Sequence, residues 1–142
     1  MSIQSLAQRT TNLTITQASV EWHTPATTRA RIMEVGIIQV TATAQSLGLG
    51  RPQAQGITPV DVLFQPDDPA DPTSTMEGAL SWATSPTVPL VFHRRWNSAA
   101  AAGVGIIWTF PRGLVVPVSA SIVLWNITTA LASDVNCIAD GA

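Results

Sequence analysis

Lysine and tyrosine are absent from this chain, and cysteine occurs once. A lone Cys137 excludes an internal disulfide framework, and with no histidine or cation beside it in sequence it reads as a buried, inert thiol rather than a nucleophile. Charge is scarce as well. Charged residues make up 11% of the 142, against roughly 25% in ordinary domains, and all seven basic residues are arginines. With a net charge of −2 and arginines scattered apart from the pairs Arg29/Arg31 and Arg94/Arg95, no nucleic-acid footprint is present. Long apolar runs are missing too. The longest, residues 99–110, is broken by Gly103 and Gly105, and a membrane span needs about 20 residues. Residues 1–17 lack the basic start and apolar core of a signal peptide.

Catalytic signatures are also lacking. There is no G-x-S-x-G, H-E-x-x-H or P-loop. His23 and His93 are the only histidines and lack the close spacing of a cupin metal site, so a cupin-like enzyme is disfavoured and each reads as structural or exposed. The cluster Asp67-Asp68-Pro69-Ala70-Asp71 lacks the glycine and the alternate acidic spacing of a calcium loop and reads as a solvated acidic loop. The triplets Asn12-Leu13-Thr14 and Asn126-Ile127-Thr128 match the glycosylation pattern and read as chance in a threonine-rich chain. The expectation is therefore no enzyme, no cofactor, no metal, no nucleic acid and no membrane.

What the chain has is grease in short extended pieces. Apolar residues reach 46%, with five tryptophans, and the mean hydropathy is +0.26. Residues 103–126 organise the reading. Ile106, Trp108 and Phe110 alternate with Ile107 and Thr109, Pro111-Arg112-Gly113 predicts a reversal, and residues 114–118 follow as a strand. Residues 122–127 are apolar on both faces, which calls for two covers: the domain's own core and either a second layer or a neighbouring subunit.

Residues 31–44 form the second anchor. Met33, Val35 and Ile37 are expected on one face and Ile32, Ile38 and Val40 on the other, with Gly36 marking a bulge or close approach. Shorter strands are expected at residues 12–16, 20–23, 60–64, 75–83, 90–96 and 134–138, and residues 97–102 are ambiguous between a helical turn and an extended link. About eight strands with Pro/Gly punctuation and no convincing helix predict an all-β, jelly-roll-like β-sandwich over residues 29–142, preceded by an N-terminal arm over residues 1–28.

Tryptophan and arginine dominate protein contacts. Trp108 and Trp125 lie in dense apolar strands and read as core. Trp22 and Trp96 sit beside polar residues, which makes them candidates for exposure, either in a partner contact or as sugar-stacking platforms. The candidate interface set is Trp22, Arg29, Arg31, Arg94, Arg95 and Trp96.

The segments RIMEVGI (residues 31–37), TATA (41–44), GVGIIWTFPRGLVVP (103–117), LWN (124–126) and SDVN (133–136) together resemble the head decoration, or cement, proteins of tailed bacteriophages. The chain departs from that pattern at its end, residues 137–142, where an aromatic and acidic ending is expected. The resemblance implies a homotrimer on the outer surface of the capsid. It would bridge adjacent copies of the major capsid protein, stabilise the DNA-filled head, and use the arm as a strap. The alternative is a carbohydrate- or receptor-binding tip of a phage fibre or spike, which would expose Trp22 or Trp96 in a groove. The resemblance brings no catalytic residue with it.

Overall fold

The structure, a computed structural model, describes residues 2–11, 15–128 and 131–141. Among these residues the apolar alternation resolves into eleven strands and no helix. In chain order they are β1 (Ile3–Arg9), β2 (Ala18–His23), β3 (Ala30–Gln39), β4 (Ser46–Pro52), β5 (Ile57–Leu63), β6 (Gln65–Pro66), β7 (Glu77–Thr84), β8 (Pro89–Asn97), β9 (Gly105–Val116), β10 (Ser121–Asn126) and β11 (Ser133–Gly141). Among the described residues no helix is long and apolar enough to cross a membrane.

Two antiparallel sheets face each other, one ordered β6-β1-β11-β3-β9 and the other β5-β7-β2-β10-β4-β8. Set β5, β6 and β7 aside, and the rest reads β1-β11-β3-β9 against β2-β10-β4-β8, the jelly-roll order. Every connection in that set crosses between sheets except β4 to β8, which are neighbours in one sheet and are joined by the excursion through β5–β7. The excursion adds β7 and β5 outside β2 and adds β6 outside β1, so it covers one flank of the sandwich. The other flank, β8 and β9, stays open.

The expected N-terminal arm is corrected. Residues 3–9 form β1, paired along its whole length with β11, and residues 18–23 form β2, between β7 and β10. The sandwich thus begins with the first described residues rather than at residue 29. The apolar side chains explain why: Val20 and Trp22 are buried between the sheets, and Leu6 packs against the same core. The strand expected at residues 12–16 lies mostly outside the described residues, and residues 15 and 16 form a turn.

Two further expectations change because strands can carry extra residues. β3 pairs with β9 regularly from Ile38↔Gly105 to Glu34↔Thr109 and resumes at Ile32↔Leu114. Residues 110–113 are therefore a bulge within one long strand, not a reversal between two. Pro111 is tolerated because β9 is an edge strand, and Gly113 supplies a φ of +71°. Opposite the bulge, the irregularity at Met33 shifts the alternation of β3. Ile32 turns inward with Val35 and Ile37, all fully buried, while Ile38 stays outside. Gly36 itself is in regular register, and neither bulge falls on it.

β10 keeps its two apolar faces and finds both covers within its own chain. Ile122 and Leu124 enter the main core, while Val123 and Trp125 form a second cluster with Ala18, covered by Trp82, Phe92 and Ile127. No neighbouring subunit is needed there. At one end of the sandwich a polar network closes the core. Gln39 Nε2 lies 2.7, 3.2 and 3.1 Å from the carbonyls of Thr41, Ala99 and Ala101, and Gln45 Nε2 donates to Ser133 Oγ at 2.8 Å. These contacts fix residues 98–102 as an irregular link with neither helix nor strand.

Candidate functional site

Exposed apolar side chains lie on both flanks: Ile57, Val60, Val62 and Leu63 on the edge strand β5, and a further group on the open flank. Leu90 and Val91 on β8 are 81% and 72% exposed, and Ile107 on β9 is 66% exposed. Beside Ile107, Gly36 has no side chain. The result is a shallow groove of about 480 Å³ on the outer face of the β3–β9 pair, lined by Glu34, Gly36, Ile38, Gly105, Ile107 and Asn136. Gly105 is required sterically, since a Cβ there would come within 2.5 Å of the Ile37 carbonyl.

At the other end of β9 the bulge collects arginines. The Arg94 guanidinium stacks over the Phe110 ring at 4.8 Å, and Arg31 Nη1 donates to the Arg112 carbonyl at 3.0 Å. Arg31, Arg94 and Arg112, all exposed, thus surround one strand segment. Arg95 points away from this group and stacks over Phe92 at 5.6 Å, in the outer cluster of the other sheet. Arg29 is exposed just before β3. Of the expected set, the structure therefore brings Arg31 and Arg94 together with Arg112, which the sequence reading did not single out.

Trp22 and Trp96 are corrected. They are 1% and 9% exposed and belong to the main core. Polar sequence neighbours misled, because in a strand they belong to the opposite face. Neither indole can stack a sugar or contact a partner. Trp108 and Trp125 are core, as expected, each 6% exposed.

The titratable groups divide into anchors and one cluster. Glu21 is buried on the outer face of β2, where its carboxylate accepts from Ser121 Oγ at 2.8 Å, Trp82 Nε1 at 3.0 Å and the Gly56 amide at 3.2 Å. Asp67 and Asp71 accept from Ser5 and Ser2 at 2.9 and 3.2 Å, so the acidic loop, exposed at residues 67–70, also ties down the start of the chain. Burial first, then Arg51 and Arg94, pushes the His93 imidazole below its ordinary value. Complete burial pushes the Cys137 thiol well up.

The cluster is His23, Asp61 and Glu77. His23 and Glu77 are register partners on β2 and β7, and Asp61 reaches them from β5. His23 Nε2 lies 2.6 Å from Asp61 Oδ1 and 3.8 Å from Glu77 Oε2. Burial, followed by a hydrogen bond to and repulsion by Asp61, holds the Glu77 carboxyl above its ordinary value, while His23 pulls the other way. Among the described residues this is the one group of three whose donor atoms, all within 4.8 Å, could hold a metal ion. Sequence reading missed it because its members lie on three separate strands, and only the cross-strand register joins them. Asn126 of the second glycosylation triplet is fully buried and accepts from Ser19, whereas the first triplet lies outside the described residues.

Comparison with protein-family models, with curated proteins and with solved structures finds no match to this chain.

Proposed function

We propose that this chain is a capsid decoration protein of a tailed bacteriophage, a homotrimer on the outer head surface that bridges adjacent major capsid proteins and stabilises the DNA-filled head. The observation that carries the reading is the open β8–β9 flank. It has two unpaired strand edges, exposed Leu90, Val91 and Ile107, and arginines at the bulge. Natural sheets guard free edges with charge, proline or cover. Here exposed apolar side chains on β8 and β9 stand beside such guards, as expected of a surface that copies or hosts cover. Stable interfaces bury about 1,600 Å² in total, within reach of a chain with 6853 Å² of surface. Resemblance to the cement proteins supplies the setting, and the flank supplies the contact. The strap role first expected of the N-terminus passes to this flank, because β1 and β2 are built into the sheets. The fibre-tip alternative loses its footing with the burial of Trp22 and Trp96.

Light scattering of the purified chain tests the assembly. The expected species has three times the 15.0 kDa of the monomer, and DNA-filled heads that carry it should outlast bare heads on heating. A monomer that leaves head stability unchanged overturns the proposal.

A further inference from the structure

On the other side of the molecule from the open flank, we propose a divalent transition-metal site of the zinc type, held by His23, Asp61 and Glu77, that pins the β5–β7 excursion to the jelly roll. The inference is independent of the decoration reading. It starts from charge. Two carboxylates converge on His23, the only side chain that forms an ion pair with either of them among the described residues.

The hydrogen-bonded geometry is close to what a cation needs. Ligand atoms bonded to an ion at about 2.1 Å lie roughly 3.0–3.4 Å apart around it. The His23 Nε2 separations of 2.6 and 3.8 Å bracket that spacing, and all three donor atoms already lie within 4.8 Å of one another. The three side chains rise from adjacent strands, which hold their bases in place before any ion arrives.

The donors choose the metal. One imidazole and two carboxylates, with no thiolate, suit Zn²⁺ or Mn²⁺ over Ca²⁺, which prefers six to eight oxygens. The carboxylate side chains, 26% and 33% exposed, leave room for water to complete the coordination, so the site is structural and of modest affinity. An ion here ties β5, the outermost strand of its sheet, through β7 to β2 in the jelly roll itself.

Calorimetric titration of the chelator-stripped full chain with ZnCl₂, and with MnCl₂, MgCl₂ and CaCl₂ in parallel, tests this. The expected result is one saturable Zn²⁺ per chain and a rise in Tm on the order of 5–10 °C at about a hundredfold excess over Kd. Mg²⁺ and Ca²⁺ should give much less. His23→Gln and Glu77→Gln should each weaken Zn²⁺ binding more than tenfold, and His93→Gln should not. With two histidines in the chain, imidazole NMR signals provide a second readout that does not depend on stability: Mn²⁺ should broaden the His23 resonances before those of His93. Absence of saturable binding, or binding of full strength in both His23→Gln and Glu77→Gln, overturns the proposal.

Discussion

Glu21 shows how a single side chain can hold a surface element in place. A buried carboxylate costs several kcal/mol unless its lone pairs are met. Here three donors from β10, β7 and the loop after β4 meet them. Truncation strands the Ser121 hydroxyl, the Trp82 indole and the Gly56 amide together. Glu21→Ala should lower stability by about 2–4 kcal/mol, read from the denaturant midpoint at constant slope. Glu77 is the opposite case. Its carboxyl is raised, so the folded state holds the proton more tightly than the unfolded state. That contribution is full below the ordinary value of 4.5 and is lost as pH rises through the raised one. In chelator, Glu77→Gln should therefore raise the stability at neutral pH, read from the denaturant midpoint, by less than about 1 kcal/mol, since the group is partly exposed. The gain should vanish as pH falls below 4.5.

At the scale of elements, the bulge in β9 and the strand β1 make the sharpest predictions. Gly113 has a φ of +71°, and a Cβ there would come within 2.7 Å of Arg31 Cβ. Gly113→Ala should cost about 1–3 kcal/mol and loosen the arginine group around the bulge, detectable as faster amide exchange across residues 110–113. Deleting residues 2–9 should destabilise the whole sandwich, because β11 loses one of its two partners from Asp134 to Asp140. If those residues were a mere arm, the truncated chain would melt as the intact one does.

These elements also show what a sequence can reveal. The alternation of Ile106, Trp108 and Phe110, and the two greasy faces of residues 122–127, were legible because a strand's period of two survives any fold. The inward turn of Ile32 was not, because one extra residue at Met33 reverses the phase and leaves no local mark. β1 was hidden because its partners β11 and β6 lie at the far end and the middle of the chain. The pairing of Arg31 with Arg94 around one bulge, and of His23 with Asp61 and Glu77, depends on register between strands that no spacing rule connects.

At the scale of the whole molecule, the excursion through β5–β7 makes the two flanks unequal. One is overlaid by added strands, and the other ends in bare β8 and β9 edges. An assembly built on the bare side should be sensitive to charge there and indifferent to it elsewhere. Ile107→Glu should shift the light-scattering mass toward 15.0 kDa without lowering the Tm of the monomer, since the side chain is 66% exposed. A matching change at Ser81, exposed on β7, should leave the mass alone.

Cys137 adds a practical gift. It is the sole thiol, sealed between the sheets, and burial keeps it protonated. An alkylating reagent can reach it only when the two layers part. The pace of modification in a large reagent excess is therefore a built-in stopwatch for opening of the sandwich, readable by mass on untouched protein, alone or seated on a particle.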